Sequence, residues 1–211
     1  KDKKIISNSM RLDLGFNNYL YNGSMNMPKA LAPFDLNPSK SINVNLHLYD
    51  QAIRLSKNRK WWMYYGFTIN YNNYRFNEDI SLNKFNDSLL TLPSTLPLKK
   101  NKLTTTYLTV PFGFQFESNP DKQKRSFRMA AGPYIGYLLN AHTKQVSNKD
   151  GKDKNYSDLN IQKLAYGLNV KIGFGKVSLY GSYSLSTMFE KGKGPELYPV
   201  SFGIVINDFD F

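Results

Sequence analysis

The 211-residue chain contains no cysteine. Disulfides and thiolate metal sites are therefore excluded, and the chain is compatible with an oxidising compartment without requiring one. No segment approaches the ~20 consecutive apolar residues that a membrane helix needs. A helical membrane protein is excluded, although 41% of the residues are hydrophobic and mean hydropathy is −0.49. Histidine is scarce, with only His47 and His142. Negative charge is in deficit: 16 acidic against 28 basic residues leave a formal net charge of +12. No signal-peptide pattern opens the chain, because Lys1-Asp2-Lys3-Lys4 leads straight to Ile5 and Ile6. A mature chain whose export signal has been removed is the expectation.

What the chain does have is strict alternation. From Thr105 to Gln145, Leu108, Val110, Phe112, Phe114 and Phe116 fall on one face, and Tyr107, Thr109, Pro111, Gly113, Gln115 and Glu117 on the other. After a short charged turn, Phe127, Met129, Ala131, Pro133, Ile135, Tyr137 and Leu139 alternate with Arg128, Ala130, Gly132, Tyr134 and Gly136. A period of two means strand. One face is uniformly apolar, and the other carries small, neutral-polar and isolated charged residues. That combination suits a wall with hydrocarbon outside and a narrow filled lumen inside. In lipid an unpaired backbone group costs several kcal/mol, so an extended structure there must close on itself. The 15 Tyr and 14 Phe suit such strands and their interfacial girdles.

Similar segments recur at Met10 to Tyr21, Ser41 to Leu55, Trp61 to Phe76, Lys163 to Phe174, Lys176 to Phe189 and Tyr198 to Ile206. In the second, Ile42, Val44, Leu46 and Leu48 alternate with Asn43, Asn45, His47 and Tyr49, and the register slips near Ala52-Ile53, as at a bulge. With the central hairpin this makes eight strands, and the predicted fold is an all-β, closed, antiparallel up-and-down transmembrane barrel. Connections alternate between short (56–60, around Asn119-Pro120-Asp121, Gly175-Lys176) and long (22–40, 77–102, 141–160, 190–197). Bacterial barrels keep short turns in the periplasm and long loops outside, so both termini are expected to be periplasmic. Residues 1–9 read as a short periplasmic tail and 10–211 as a single barrel domain.

Several of these segments carry a family resemblance. Tyr107, Val110 and Pro111, then Gly132 and Pro133, then Gly173, Gly175 and Lys176 resemble the successive motifs of the PorT-like outer-membrane β-barrel family of Bacteroidetes. The likeness covers about two-thirds of the chain. It implies a small outer-membrane barrel of a Gram-negative bacterium, in a family whose members serve mixed roles, including subunits of envelope machines.

Parity sends Arg11, Asp13, Glu117, Arg128 and Lys171 into the lumen, all toward the periplasmic end. The plain reading is a salt-bridged plug, since an eight-stranded barrel has room only for side chains and buried charges must pair; the sharper one is a proton or ion path. Arg54, Lys57, Arg59, Lys60, Lys122, Lys124 and Arg125 form a basic periplasmic rim, suited to lipid phosphates or to an acidic partner. Trp61, Trp62, Phe116, Phe127, Phe174, Tyr71, Tyr137 and Tyr198 are the aromatic girdle. His47 faces inward and His142 lies in an external loop, and neither has an evident Ser or carboxylate partner at an external rim. No catalytic set, cofactor site or metal site is visible. The expected partners are outer-membrane lipid and other envelope proteins, not nucleic acid. The favoured function is a non-enzymatic accessory subunit of an envelope complex for secretion, surface assembly or barrel insertion. A small pore and a lipid- or peptide-directed barrel enzyme are the alternatives.

Overall fold

The computed structural model describes residues 4–8, 10–85, 88–94, 97–122, 125–149, 151–156, 159–175 and 177–206. Eight strands form the wall: β2 (Arg11–Leu20), β3 (Ile42–Arg54), β4 (Trp61–Arg75), β7 (Leu98–Glu117), β8 (Phe127–Ser147), β10 (Leu164–Phe174), β11 (Val177–Ser184) and β12 (Tyr198–Ile206). Each is antiparallel to both neighbours, and β12 pairs back onto β2 from Tyr198↔Leu20 to Ile206↔Leu12, which closes the barrel. The remaining strands are β1 (Ile5–Asn8), β5 (Ile80–Phe85), β6 (Ser88–Pro93) and β9 (Gly151–Asn155). We call the end that carries the short turns the lower end, and the end with the long connections the upper end.

The outward residues form one apolar band. Phe114, Ile135, Leu168, Leu179 and Phe202 are all about half exposed, which in water would be a large uncovered apolar surface and in hydrocarbon is the face a barrel needs.

The interior shows why glycine recurs on the other face. Tyr180, Gly203, Gly15 and Asn43 stand in one register row across four adjacent strands. The tyrosine reaches across the two glycines, and its hydroxyl donates to Asn43 Oδ1 at 2.5 Å. The other four strands repeat the device. Tyr64, Gly113, Gly132 and Asn169 form a row, and the Tyr64 hydroxyl reaches Asn169 Oδ1 at 2.7 Å. A Cβ on Gly15 would stand 2.5 Å from the Tyr180 hydroxyl and 2.1 Å from the Phe202 carbonyl oxygen.

Four details correct the sequence-based expectations. The segment read as a tail contains β1, paired antiparallel to the lower half of β3. The irregularity in β3 lies between His47 and Tyr49 rather than near Ala52-Ile53. This bulge turns Tyr49 away from the lumen and brings Asp50 into it. Trp62, taken as part of the girdle, is 3% exposed and packs inside with Ala52, Tyr64 and Ala130, because it shares parity with Tyr64. Finally, the stretches read as loops at 77–102 and 141–160 carry regular structure. β7 and β8 are 20 and 21 residues long, about twice what a membrane-spanning strand needs. They therefore continue upward as a ribbon to which β9 is added, with the β5–β6 hairpin against its inner face.

Replacing Leu168 with Arg in mid-band should cost about 2–4 kcal/mol in urea unfolding from liposomes. Gly15→Ala should cost about 1–3 kcal/mol by displacing Tyr180. Gly181→Ala, whose nearest neighbour would be an ordinary 3.5 Å away, should be nearly neutral, and equal losses at Gly15 and Gly181 would contradict the glycine rows.

Candidate functional site

The most concentrated chemistry lies in the lumen where β2, β3 and β10 face one another. Arg11 and Asp13 share parity on β2, while His47 and Asp50 share it on β3 only because of the bulge between them. His47 Nε2 is 2.8 Å from Asp13 Oδ2, and His47 Nδ1 is 3.0 Å from Thr68 Oγ1. Arg11 Nη2 is 2.9 Å from Asp50 Oδ2, Arg11 Nε is 3.7 Å from Asp13 Oδ1, and Lys171 Nζ lies 4.0 Å from Asp13 Oδ2. The Asp13 and Asp50 side chains are 2% and 4% exposed. Two carboxylates thus meet Arg11 and Lys171, and the cluster is neutral with His47 uncharged.

Thr68, His47 and Asp13 have the outline of a nucleophile, base and acid, but the surroundings give them another use. Arg11 Nη2 lies 3.1 Å from His47 Nδ1 and 3.3 Å from Nε2, and Asp50 Oδ2 lies 3.5 Å from Nδ1, so both ring nitrogens face charged neighbours as well as Thr68. Nε2–H donates to Asp13. The arrangement locks an imidazole between two charged partners, as a buried ion-pair network requires.

Above the cluster, amides take over. Asn43 Nδ2 donates to Asn72 Oδ1 at 2.7 Å, Asn72 to Asn70 at 2.6 Å, Asn70 to Asn45, and Asn45 back to Asn43 at 3.1 Å, closing a ring. Beside this ring lies a cavity of about 100 Å³, lined by Asn45, Asn70, Tyr134, Tyr180 and the charged cluster. It has room for a few waters. A further space of about 20 Å³ sits below it, beside Gln115 and Arg128.

The upper mouth is closed by an apolar cap, which sequence reading missed. Phe34 from a short 3-10 helix (Lys29–Phe34), Leu36, Phe76, Leu82, Phe189 and Leu197 are buried there against Tyr19, Tyr74 and Leu103. Phe34 meets Phe76 and Phe189 edge-on. The signal available in the sequence was the cluster of large apolar residues inside segments otherwise rich in Asn, Pro and Ser.

The structure divides the five predicted lumen charges into two groups. Arg11, Asp13 and Lys171 join the central cluster, together with His47 and Asp50, which were not included among them. Glu117 and Arg128 face each other in register at the lower end, where Arg128 also donates to the Gly175 carbonyl at 2.6 Å. Of the predicted rim, Arg54 shares the inward parity of Trp62, its register partner. Arg59 forms an ion pair with Asp121 that ties the β3–β4 turn to the β7–β8 turn. Lys57, Lys122 and Arg125 are exposed and Lys60 is half-buried, and Lys124 lies outside the described residues. Trp61 and Phe116 pack with ring centroids 5.1 Å apart and planes tilted by 55° on the lower edge of the band, near Phe127 and Phe174. Tyr71, Tyr137 and Tyr198 mark the upper edge. His142 stands on the ribbon, stacked on Tyr156 at 4.9 Å. Burial and the nearby Lys154, Lys102 and Lys144 hold its pKa below the usual imidazole value.

The chain matches the family model described as "Outer membrane protein beta-barrel domain" over residues 9–190. It belongs to this outer-membrane β-barrel family, which places it in the outer membrane of a Gram-negative bacterium. No curated protein matches the chain. Among solved structures, the attachment invasion locus protein Ail of Yersinia pestis is similar at 14% identity, covering 97% of both chains with a TM-score of 0.37. The same protein in complex with the heparin analogue sucrose octasulfate is also similar at 14% identity, covering 94% of both chains with a TM-score of 0.38.

Asp13→Asn leaves Arg11 and Lys171 with one carboxylate and should cost about 3–5 kcal/mol in unfolding free energy. Adding Lys171→Met restores neutrality and should recover part of the loss. No recovery in the double variant would mean that the cluster is not electrostatically coupled.

Proposed function

We propose that this chain is a PorT-like barrel of a Bacteroidetes outer membrane, neither enzyme nor channel. In this reading it serves as a membrane-embedded accessory subunit of an envelope complex for secretion, surface assembly or barrel insertion. The observation that carries the reading is the filled interior, which the charged cluster, the asparagine ring, the tyrosine rows and the apolar cap occupy together. Such a lumen leaves no path for a hydrated ion and no cleft for a substrate, so the protein works through its outer surfaces and ends. Outer-membrane lipid covers the wall, and other envelope proteins are the partners left for the ends.

The lower turn supplies the first surface to test. Lys57, Arg59 and Lys60 stand beside Trp61, which combines a charged edge with an interfacial anchor. Contacts made by exposed charges weaken as salt shortens their range to about 8–10 Å.

In planar bilayers the purified protein should show no large steady conductance, and stable nanosiemens-scale channels would favour a pore instead. Isolation from native membranes in mild detergent should recover a stoichiometric envelope partner. Reversing Lys57, Arg59 and Lys60 to Glu should weaken that recovery while the barrel stays inserted. Full retention of every partner in low and high salt would make the basic turn a collar for lipid phosphates only.

A further inference from the structure

The ribbon above the membrane carries a row of cations that the register makes continuous. Arg75 on β4 faces Lys102 on β7, Lys102 faces Lys144 on β8, and Lys144 faces Lys154 on β9. Four positive side chains thus stand side by side on adjacent strands, spanning about 15 Å at ordinary strand spacing. One step further along the same face, Lys100, Val146 and Lys152 form the next row. Like charges directly opposite across strands oppose pairing. Among the described residues, no carboxylate lies within ion-pairing distance of these six cations. Asp153, the acid of β9, takes the other face with Gln145, and Asp79 acts on Arg75 only from a distance.

The neighbours of the row give only neutral relief. Lys102 Nζ donates to Asn73 Oδ1, Arg75 to the Lys99 carbonyl, and Lys154 to the Tyr156 hydroxyl at 3.4 Å. Partial burial, then Lys144, Lys100, Arg75 and Lys154, push the Lys102 pKa down to about 8. The Lys144 ammonium is lowered as well, by desolvation and by Lys152, Lys100 and Lys154.

The face on which the row lies decides what can neutralise it. Tyr74 and Leu103 alternate with these residues and are buried in the cap, so the cations point out of the wall, away from the mouth. Tyr71, at the upper edge of the apolar band, lies four residues below Arg75 on the same face. The row therefore stands about 10 Å above the hydrocarbon edge for a strand tilted as barrel strands are. With the long connections directed outward, as bacterial barrels place them, the adjoining layer is the headgroup region of the outer leaflet. The geometry points to a binding site for the phosphorylated saccharide headgroup of an outer-leaflet glycolipid, formed by Arg75, Lys102, Lys144 and Lys154 with Lys100 and Lys152 behind them.

The test uses the whole chain in phosphatidylcholine nanodiscs doped with bisphosphorylated lipid A or with its dephosphorylated form, with bound lipid read by native mass spectrometry. Wild type should retain the phosphorylated lipid in preference. Lys102→Gln, Lys144→Gln and Lys154→Gln together should weaken retention about a hundred-fold, while Lys57→Gln, Arg59→Gln and Lys60→Gln at the other end should not. The single variant Lys144→Gln adds a readout independent of the triple variant. It should raise the melting temperature in zwitterionic detergent, where it relieves repulsion, and lower it relative to wild type when the phosphorylated lipid is present. Equal retention of both lipids by wild type, or equal retention by wild type and the triple variant, would overturn the site. Tighter binding of soluble inositol hexakisphosphate than of the lipid would overturn the assignment to a membrane headgroup in favour of a free polyanion.

Discussion

A strand in hydrocarbon has no water to take an unpaired amide or carbonyl, and the rest of this structure follows from that constraint. The pairing of β12 with β2 removes the last open edge. Once the wall is a closed ring of eight strands, its bore is narrow enough for side chains to fill. Every inward position then has to be packed, hydrogen-bonded or charge-paired, and outward positions in the band are apolar or, like Gln51 with the Tyr49 and Tyr65 hydroxyls, hydrogen-bonded to their neighbours.

The interior meets these demands in layers. Tyrosines laid over paired glycines cross each half of the barrel, which lets a bulky ring occupy a surface too crowded for two ordinary side chains. The asparagine ring gives each of its four amides one donated and at least one accepted hydrogen bond within the ring. Below it, Asp13 and Asp50 hold Arg11, His47 and Lys171. Removing one charge from such a network leaves another buried without its partner, so the cluster is fixed by its own cost of disruption. The apolar cap then seals the mouth with residues from four separate connections, which ties the upper end together without a regular sheet.

Function follows from what this packing leaves available. With the bore filled, the chemistry that remains accessible is at the two rims and on the ribbon formed by β7, β8 and β9. The lower rim is basic but partly committed, since Arg59 already holds Asp121. On the ribbon, the cations of adjacent strands are set opposite one another with no carboxylate within ion-pairing distance among the described residues, which is why we propose that an external anion completes them.

Much of the fold was legible in the residues alone because strand parity is a local property. Leu108 to Phe116 against Tyr107 to Glu117 determines two faces whatever the neighbours are, and eight such segments with alternating connections determine an up-and-down barrel. The glycines were visible too, but not their partners, since the Tyr180–Asn43 contact joins residues far apart in the chain. Only the tertiary structure decided where parity breaks. The bulge between His47 and Tyr49 depends on the pairing of β3 with β4, and with it came Asp50 in the central cluster. The inward turn of Trp62 and the burial of Phe34, Leu82 and Phe189 in the cap depend in the same way on neighbours supplied by other strands. The cation row is the clearest case: Arg75, Lys102, Lys144 and Lys154 are scattered in sequence, and they become one feature only through inter-strand register, which no single segment encodes.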